Sequence, residues 1–178
     1  MTVYPKEYIE YLIHFHGSRD YFECHEIMEE YWLENNRDVT WLALIQLAVA
    51  VYHERQQNLS GSLRLYRKVL THMRANKDIF HGLHIHHSDT EQLIKSRIKT
   101  ILHEGTYEPF NLPLSDSDLI TQCKQLCHTY GWEWLSDDRV QAKDLIYKHK
   151  LRDRSDVIQA RQHSLLKKKR ERGWDKTQ

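Results

Sequence analysis

The residues with chemistry to offer cluster in one short stretch, Tyr21–Trp32, which reads YFECHEIMEEYW. On a helical wheel at about 100° per residue, Tyr21, Cys24, Met28, Tyr31 and Trp32 gather on one side, with Glu23, Glu30 and Glu34 opposite. His25 falls between Trp32 and Glu29, at the edge of the apolar side. Glu29 lies four residues further on, so imidazole and carboxylate stand one above the other. Glu26 falls further round, toward water. Burying polar groups costs free energy unless they find partners. Two roles meet that demand: an ion pair or core hydrogen bond that only fixes packing, and a site for a small ligand or a divalent metal. HEIME also echoes the zinc-binding HExxH helix, with Glu29 in place of the second histidine. A carboxylate is a competent zinc ligand, but this spacing fixes no third one. In a hydrolase, Glu26 or Glu29 would be the general base, and the histidines would hold metal or polarise substrate.

A second segment brings polar groups of its own. From Val39 to Gln57 the chain is apolar around nearly the whole helical circumference, the pattern of a helix enclosed by others. Its exceptions are Gln46 and His53, seven residues apart and so on one stripe, with Gln57 nearby. If the two polar stripes face each other, His25, Glu29, Gln46 and His53 form one enclosed cluster beside Trp32. Those five residues are the expected ligand-binding set; His25, Glu29 and His53 are the expected metal set. The alternative is that each group is satisfied separately, with His53 at a wet helix end.

The elements that must position these groups are helical. A first helix is expected from Pro5 to His16, with Gly17 as its stop. Asp20 and Glu23 read as a capping box opening the central stretch, which Asn35 and Asn36 close. Asp38 caps the apolar helix. Asn58 to Ser62 links it to a helix ending near Asn76, with Leu63, Tyr66, Val69, Leu70 and Met73 inward. His81, His84, His86 and His87 read as an exposed turn without preset metal geometry. Asp89 is expected to cap a helix reaching His103. YEPFNLPL, residues 107–114, must be extended and is expected to strap across the bundle. Asp116 caps a helix reaching Tyr130, and Trp132 and Trp134 are expected to anchor this half of the chain to the bundle. Further helices are expected over 137–150 and 155–172.

Composition bounds the rest. At 178 residues with mean hydropathy −0.74, the chain suits one domain with an appendage. No apolar run is long enough to span a membrane, and the N-terminus lacks a signal-peptide pattern. Three sparse cysteines, Cys24, Cys123 and Cys127, suit reduced thiols in a cytoplasm. Charge is uneven: residues 143–178 hold 12 Lys/Arg against 5 Asp/Glu, so the body is acidic and the tail basic. Residues 155–178, with the run Lys167–Arg170, are a candidate nucleic-acid contact through phosphates, unaccompanied by any recognised nucleic-acid-binding motif. No P-loop, Rossmann or Ser/His/Asp pattern points to other chemistry. A homo-oligomer stays open.

FHGSRDYFECHEIMEEYW, then LIQLAVAVYHERQQNLSG and the YEPFNLPL strap, resemble domain of unknown function family 309. The family pattern Y-F-E-x-H-E-x-x-E-x-x-W maps onto Tyr21, Phe22, Glu23, His25, Glu26, Glu29 and Trp32. A following helix rich in small apolar residues brings His53, Asn58 and Gly61. The resemblance covers roughly residues 10–105, and the remainder is similar to the longer Bacillus-type form. It implies an all-helical bundle in a bacterial cytosol and supplies no activity. The histidine-rich loop after Phe80 departs from the family. The expectation is therefore an all-α bundle with an enclosed central helix and a basic C-terminal helical extension, divided into a core at 1–106 and the strap, helices and tail at 107–178. Three functional classes stay open: a ligand- or metal-binding protein or enzyme, an interaction module whose polar cluster fixes packing, and a nucleic-acid-associated protein acting through its tail.

Overall fold

A computed structural model describes residues 2–137, 159, 161–163 and 165–167. The expected helix at 137–150 lies outside them apart from its first residue, as does most of the tail. The fold is all-α, with no strand among the described residues. Among residues 2–137 six α-helices follow in order: α1 (Lys6–Ile13), α2 (Tyr21–Glu34), α3 (Val39–Arg55), α4 (Leu59–Ala75), α5 (His87–Leu102) and α6 (Ser117–Thr129).

α3 is the central helix. Its Leu44, Leu47, Ala48, Ala50 and Val51 are fully buried between α2 and α4. Buried Ser62 lies at the contact between α3 and α4, where its hydroxyl donates to the Ala50 carbonyl at 2.8 Å, while Gly61 leaves room for the side chain of its own N-cap, Asn58. The enclosure has one opening: Leu42, Gln46, Val49 and His53, spaced along one stripe, are only half-buried. Facing helix α2 leaves His25, Glu29 and Trp32 half-buried as well. Asn36 and Arg37, both in left-handed backbone (φ 55° and 54°), turn the chain sharply between these helices. That tight link holds α2 and α3 antiparallel and side by side.

Caps explain most boundaries. Side chains of Asp20, Asp38, Asn58 and Asp116 accept from the backbone N–H groups of Glu23, Thr40, Gly61 and Leu119, as N-caps do. Two boundaries depart from expectation. His86, not Asp89, caps α5: its Nδ1 accepts from the Asp89 N–H at 3.4 Å, which places Asp89 in the first turn. And α1 does not run to His16. It gives way after Ile13 to a π-helical turn, His14–Ser18, ending at Arg19 in left-handed backbone (φ 57°).

The glycine within that turn has a packing reason. Gly17 lies so close to α6 that a Cβ on it would sit 2.8 Å from Cys127 Sγ. The widened turn also brings Arg19 round so that its buried guanidinium donates to the carbonyls of Phe15 (2.9 Å), Phe110 (3.0 Å) and Ser136 (2.9 Å) and to Asn111 Oδ1 (2.7 Å). Residues 107–114 are indeed non-helical. They are clamped by Arg19 and by buried His16, whose Nε2 accepts from the Leu112 N–H at 3.0 Å. Trp134 packs on His16 and Trp132 on His14, with ring centroids 4.7 and 5.0 Å apart. Tyr107, Phe110, Leu112, Leu119, Cys123 and Cys127 enter the same apolar cluster as α1–α4.

Candidate functional site

His25 lies in the half-buried opening between α2 and α3, and both its ring nitrogens meet carboxylates. Nδ1 is 3.1 Å from Glu26 Oε1, and Nε2 is 3.1 Å from Glu29 Oε2. Glu26 is therefore not turned toward water as the wheel suggests; it is 6% exposed. The reason is that α2 is buried on two sides, by α1 and its π-turn on one and by α3 on the other. Position 26 falls one turn below Phe22, which is buried too. Phe22 was the available signal: a residue four on from a buried aromatic shares its face.

The third partner comes from far along the chain. Arg161, 132 residues on from Glu29, grips its carboxylate in bidentate fashion: Nη2 at 2.5 and 2.7 Å from the two oxygens, Nε at 2.9 Å. No local pattern announces this; Arg161 reads as one cation among many in a basic tail. Since residues 161–163 and 165–167 are helical, a helical stretch of that tail lies against α2 at this point.

Electrostatics follow from the contacts. Burial by itself disfavours the His25 imidazolium, but the hydrogen bonds to Glu26 and then Glu29, with their charges, more than offset it and hold the ring above its ordinary pKa. Burial likewise pushes Glu29 up, and His25 and Arg161 overcome it, bringing the carboxyl down to about 2. His25, Glu26, Glu29 and Arg161 thus lie together in one cluster of close polar contacts. Among the described residues, His25, Glu26 and Glu29 are also the one group of three metal-competent side chains whose ligand atoms lie within 4.8 Å of one another.

Beside this cluster opens a cleft of about 200 Å³, lined by Tyr21, Phe22, His25, Val49, Tyr52, His53 and Arg161. His25 and His53 therefore do border one space. His53 is fixed from behind: Gln56 Nε2 and Asn58 Nδ2 approach its Nδ1 at 2.8 and 3.2 Å. Asn58 uses its oxygen to accept the Gly61 N–H, so its amide nitrogen must face His53. Nδ1 then accepts and the ring proton sits on Nε2. Of the five expected ligand-binding residues only His25 and His53 line the cleft; Glu29, Gln46 and Trp32 do not, Glu29 lying behind its contacts with His25 and Arg161. Gln46 Oε1 and Trp32 Nε1 are buried without a hydrogen-bond partner among the described residues. The histidine turn holds no comparable group: His86 pairs with Asp89, and no metal-competent trio forms there among the described residues.

A second buried charge centre had no expectation attached. Glu54, 2% exposed on α3, is held by Arg97 of α5 and accepts from Tyr66 of α4 at 2.7 Å. It ties three helices together behind α3 and borders no described cavity.

Residues 8–65 match the family described as Domain of unknown function (DUF309). The chain is similar to the Uncharacterized protein YpuF of Bacillus subtilis (strain 168), 39% identical over 173 residues, covering 96% of this chain and 99% of that one. No solved structure matches.

Proposed function

The chain belongs to the DUF309 family, and from that premise we propose that it binds a divalent first-row metal ion through His25 Nε2 and Glu29, with Glu26 orienting the imidazole. The observation that carries the reading is the Glu26–His25–Glu29 line on α2. A metal-bound histidine typically hands its other ring nitrogen to a carboxylate, which fixes the ring and raises its basicity. Glu26 already stands at Nδ1, and Glu29 stands at Nε2 on the side where an ion would lie. An imidazole with a carboxylate suits zinc, manganese or cobalt better than magnesium or calcium, which favour all-oxygen shells. Two protein ligands leave positions open to water and to the cleft, as metal sites that act on ligands require. His53 would add a third donor only by moving its proton to Nδ1, with the Gln56 and Asn58 amides turning.

The guanidinium of Arg161 supports the same reading from the other side: it places positive charge on Glu29 where the ion would place it. The three buried thiols, Cys24, Cys123 and Cys127, form no disulfide and support a reducing, cytosolic setting. No described helix is long and apolar enough to cross a membrane.

Thermal melting of the tag-free chain with added zinc or manganese chloride tests this. At about a hundredfold excess over Kd, binding contributes roughly 2.7 kcal/mol, which for a chain of this size is a rise of roughly 5–10 °C in Tm. His25→Ala and Glu29→Gln are expected to abolish the rise. An equal rise in both variants would place any ion elsewhere.

A further inference from the structure

The cleft beside His25 has a chemistry that the metal site does not use. Tyr21, Phe22, Val49 and Tyr52 give it apolar, mostly aromatic walls. His53 brings an imidazole whose Nδ1 is engaged by the Gln56 and Asn58 side chains. Arg161 closes one side, its side chain 42% exposed, with the guanidinium on Glu29. Flat apolar walls beside a planar, two-pronged cation match a ligand with a flat apolar body and a carboxylate, because guanidinium and carboxylate pair through two parallel hydrogen bonds. An apolar hollow with a few convergent polar groups is the usual form of a small-molecule site.

The position of Arg161 adds a consequence. It cannot keep both Glu29 oxygens and also take both oxygens of an incoming acid. Cation and acid would divide the pair between them, the cation taking Glu29 and the acid taking Arg161. Each ligand then removes the competitor of the other, which makes their binding mutually favourable.

Resting on the metal reading for its second half only, we propose that this cleft binds a small aromatic carboxylic acid through Arg161, and that the Arg161–Glu29 ion pair couples its binding to that of the metal ion. The acid site does not require metal: without it an incoming acid competes with Glu29 for Arg161 and binds more weakly.

Calorimetric titration of the full chain at fixed ionic strength tests it with benzoate as probe, benzyl alcohol and inorganic phosphate as comparisons, and zinc chloride as the metal. Benzoate is expected to bind roughly tenfold or more tightly than either comparison, since each lacks one half of the recognition. Arg161→Ala is expected to weaken benzoate by roughly 10–100-fold, the loss expected on removing one partner of a charged pair. The same variant is expected to bind zinc more tightly, because Glu29 has lost its built-in cation. One substitution thus moves two affinities in opposite directions. Val49→Trp, which fills the cleft away from Glu29, is expected to abolish benzoate binding and leave zinc unchanged. Equal binding of benzyl alcohol or phosphate, benzoate affinity unmoved by Arg161→Ala, or no benzoate binding at millimolar concentration with or without zinc would each overturn the acid site. Benzoate binding that depends on Arg161, with no zinc bound by either form, would remove the metal reading and the coupling while leaving the acid site in place.

Discussion

Glu26 and His16 show how single side chains acquire roles that burial dictates. Glu26 touches only one nitrogen of His25, yet on the metal reading that contact keeps the ring in one orientation with its other nitrogen toward Glu29. Losing such a supporting carboxylate typically costs 10–100-fold in metal affinity. Glu26→Gln is therefore expected to weaken zinc by about that factor in a competition assay with a chelating dye, without moving Tm in metal-free buffer by more than a few degrees. His16 is the opposite case, a histidine held neutral. Burial drives its pKa down, against the raising effect of its own Nδ1–H donated to the Leu12 carbonyl at 2.8 Å, and the ring ends at about 3. Below pH 6.5 the unfolded chain takes up a proton that folded His16 refuses until about pH 3, so stability falls as pH drops through that window, by roughly 2 kcal/mol at pH 5 from this group. Urea denaturation at pH 7 and pH 5 is expected to show that loss in the wild type, and a smaller one in His16→Gln. A loss of the same size in the variant would assign the acid sensitivity to other groups.

At the scale of elements, much was legible because local rules and tertiary packing agree. The caps at Asp20, Asp38 and Asp116 are short-range hydrogen bonds, and the sequence holds both partners within three residues. The all-round apolar character of α3 marked it as enclosed, and its two polar exceptions, Gln46 and His53, lie on the stripe that stays half-buried. What escaped were features set by distant neighbours. Glu26 is buried because α1 and its π-turn cover a second side of α2, which the wheel of α2 signals only through Phe22 on the same face. The glycine within the π-turn is needed because a Cβ at position 17 would meet Cys127 Sγ, 110 residues on. Gly17→Ala is accordingly expected to cost roughly 1–3 kcal/mol, as overpacked sites do. Cys127→Ala in the same chain is expected to recover part of that loss, and a double-mutant cycle by chemical denaturation reads the coupling. Strictly additive effects would mean that the two residues do not meet. Glu54 is similar: its partners come from α4 and α5, so the sequence of α3 announces only an acid near the helix end. Removing Glu54 alone leaves Arg97 buried with its charge uncompensated, a loss on the order of 3–5 kcal/mol, whereas Glu54→Leu with Arg97→Met is expected to cost far less.

For the molecule as a whole, the segment after residue 106 is bound up with the first. Phe110, Leu112, Leu119, Cys123 and Cys127 sit in the common apolar cluster, and Arg19 and His16 find their partners on residues 110–112. A chain cut after residue 106 would expose that cluster and leave the Arg19 guanidinium without acceptors at Phe110, Asn111 and Ser136. It is expected to lose cooperative unfolding, whereas removal of residues 168–178 is expected to leave it intact by circular dichroism. The basic tail reads differently once Arg161 is located. That cation is directed at the Glu29 carboxylate of α2. Sequence could not reveal this, because an arginine in a charge-rich helix carries no mark of its partner. Three described segments meet at one place: α2 supplies the imidazole and carboxylates, α3 part of the cleft wall, and Arg161 from the C-terminal segment a guanidinium on Glu29. Anomalous diffraction from crystals of the full chain soaked in zinc chloride tests that convergence most directly. A zinc peak is expected about 2.0–2.2 Å from His25 Nε2 and a Glu29 oxygen, with Glu26 still on Nδ1 and Arg161 displaced from Glu29. Zinc bound only at other histidines, with Arg161 still holding Glu29, would contradict it.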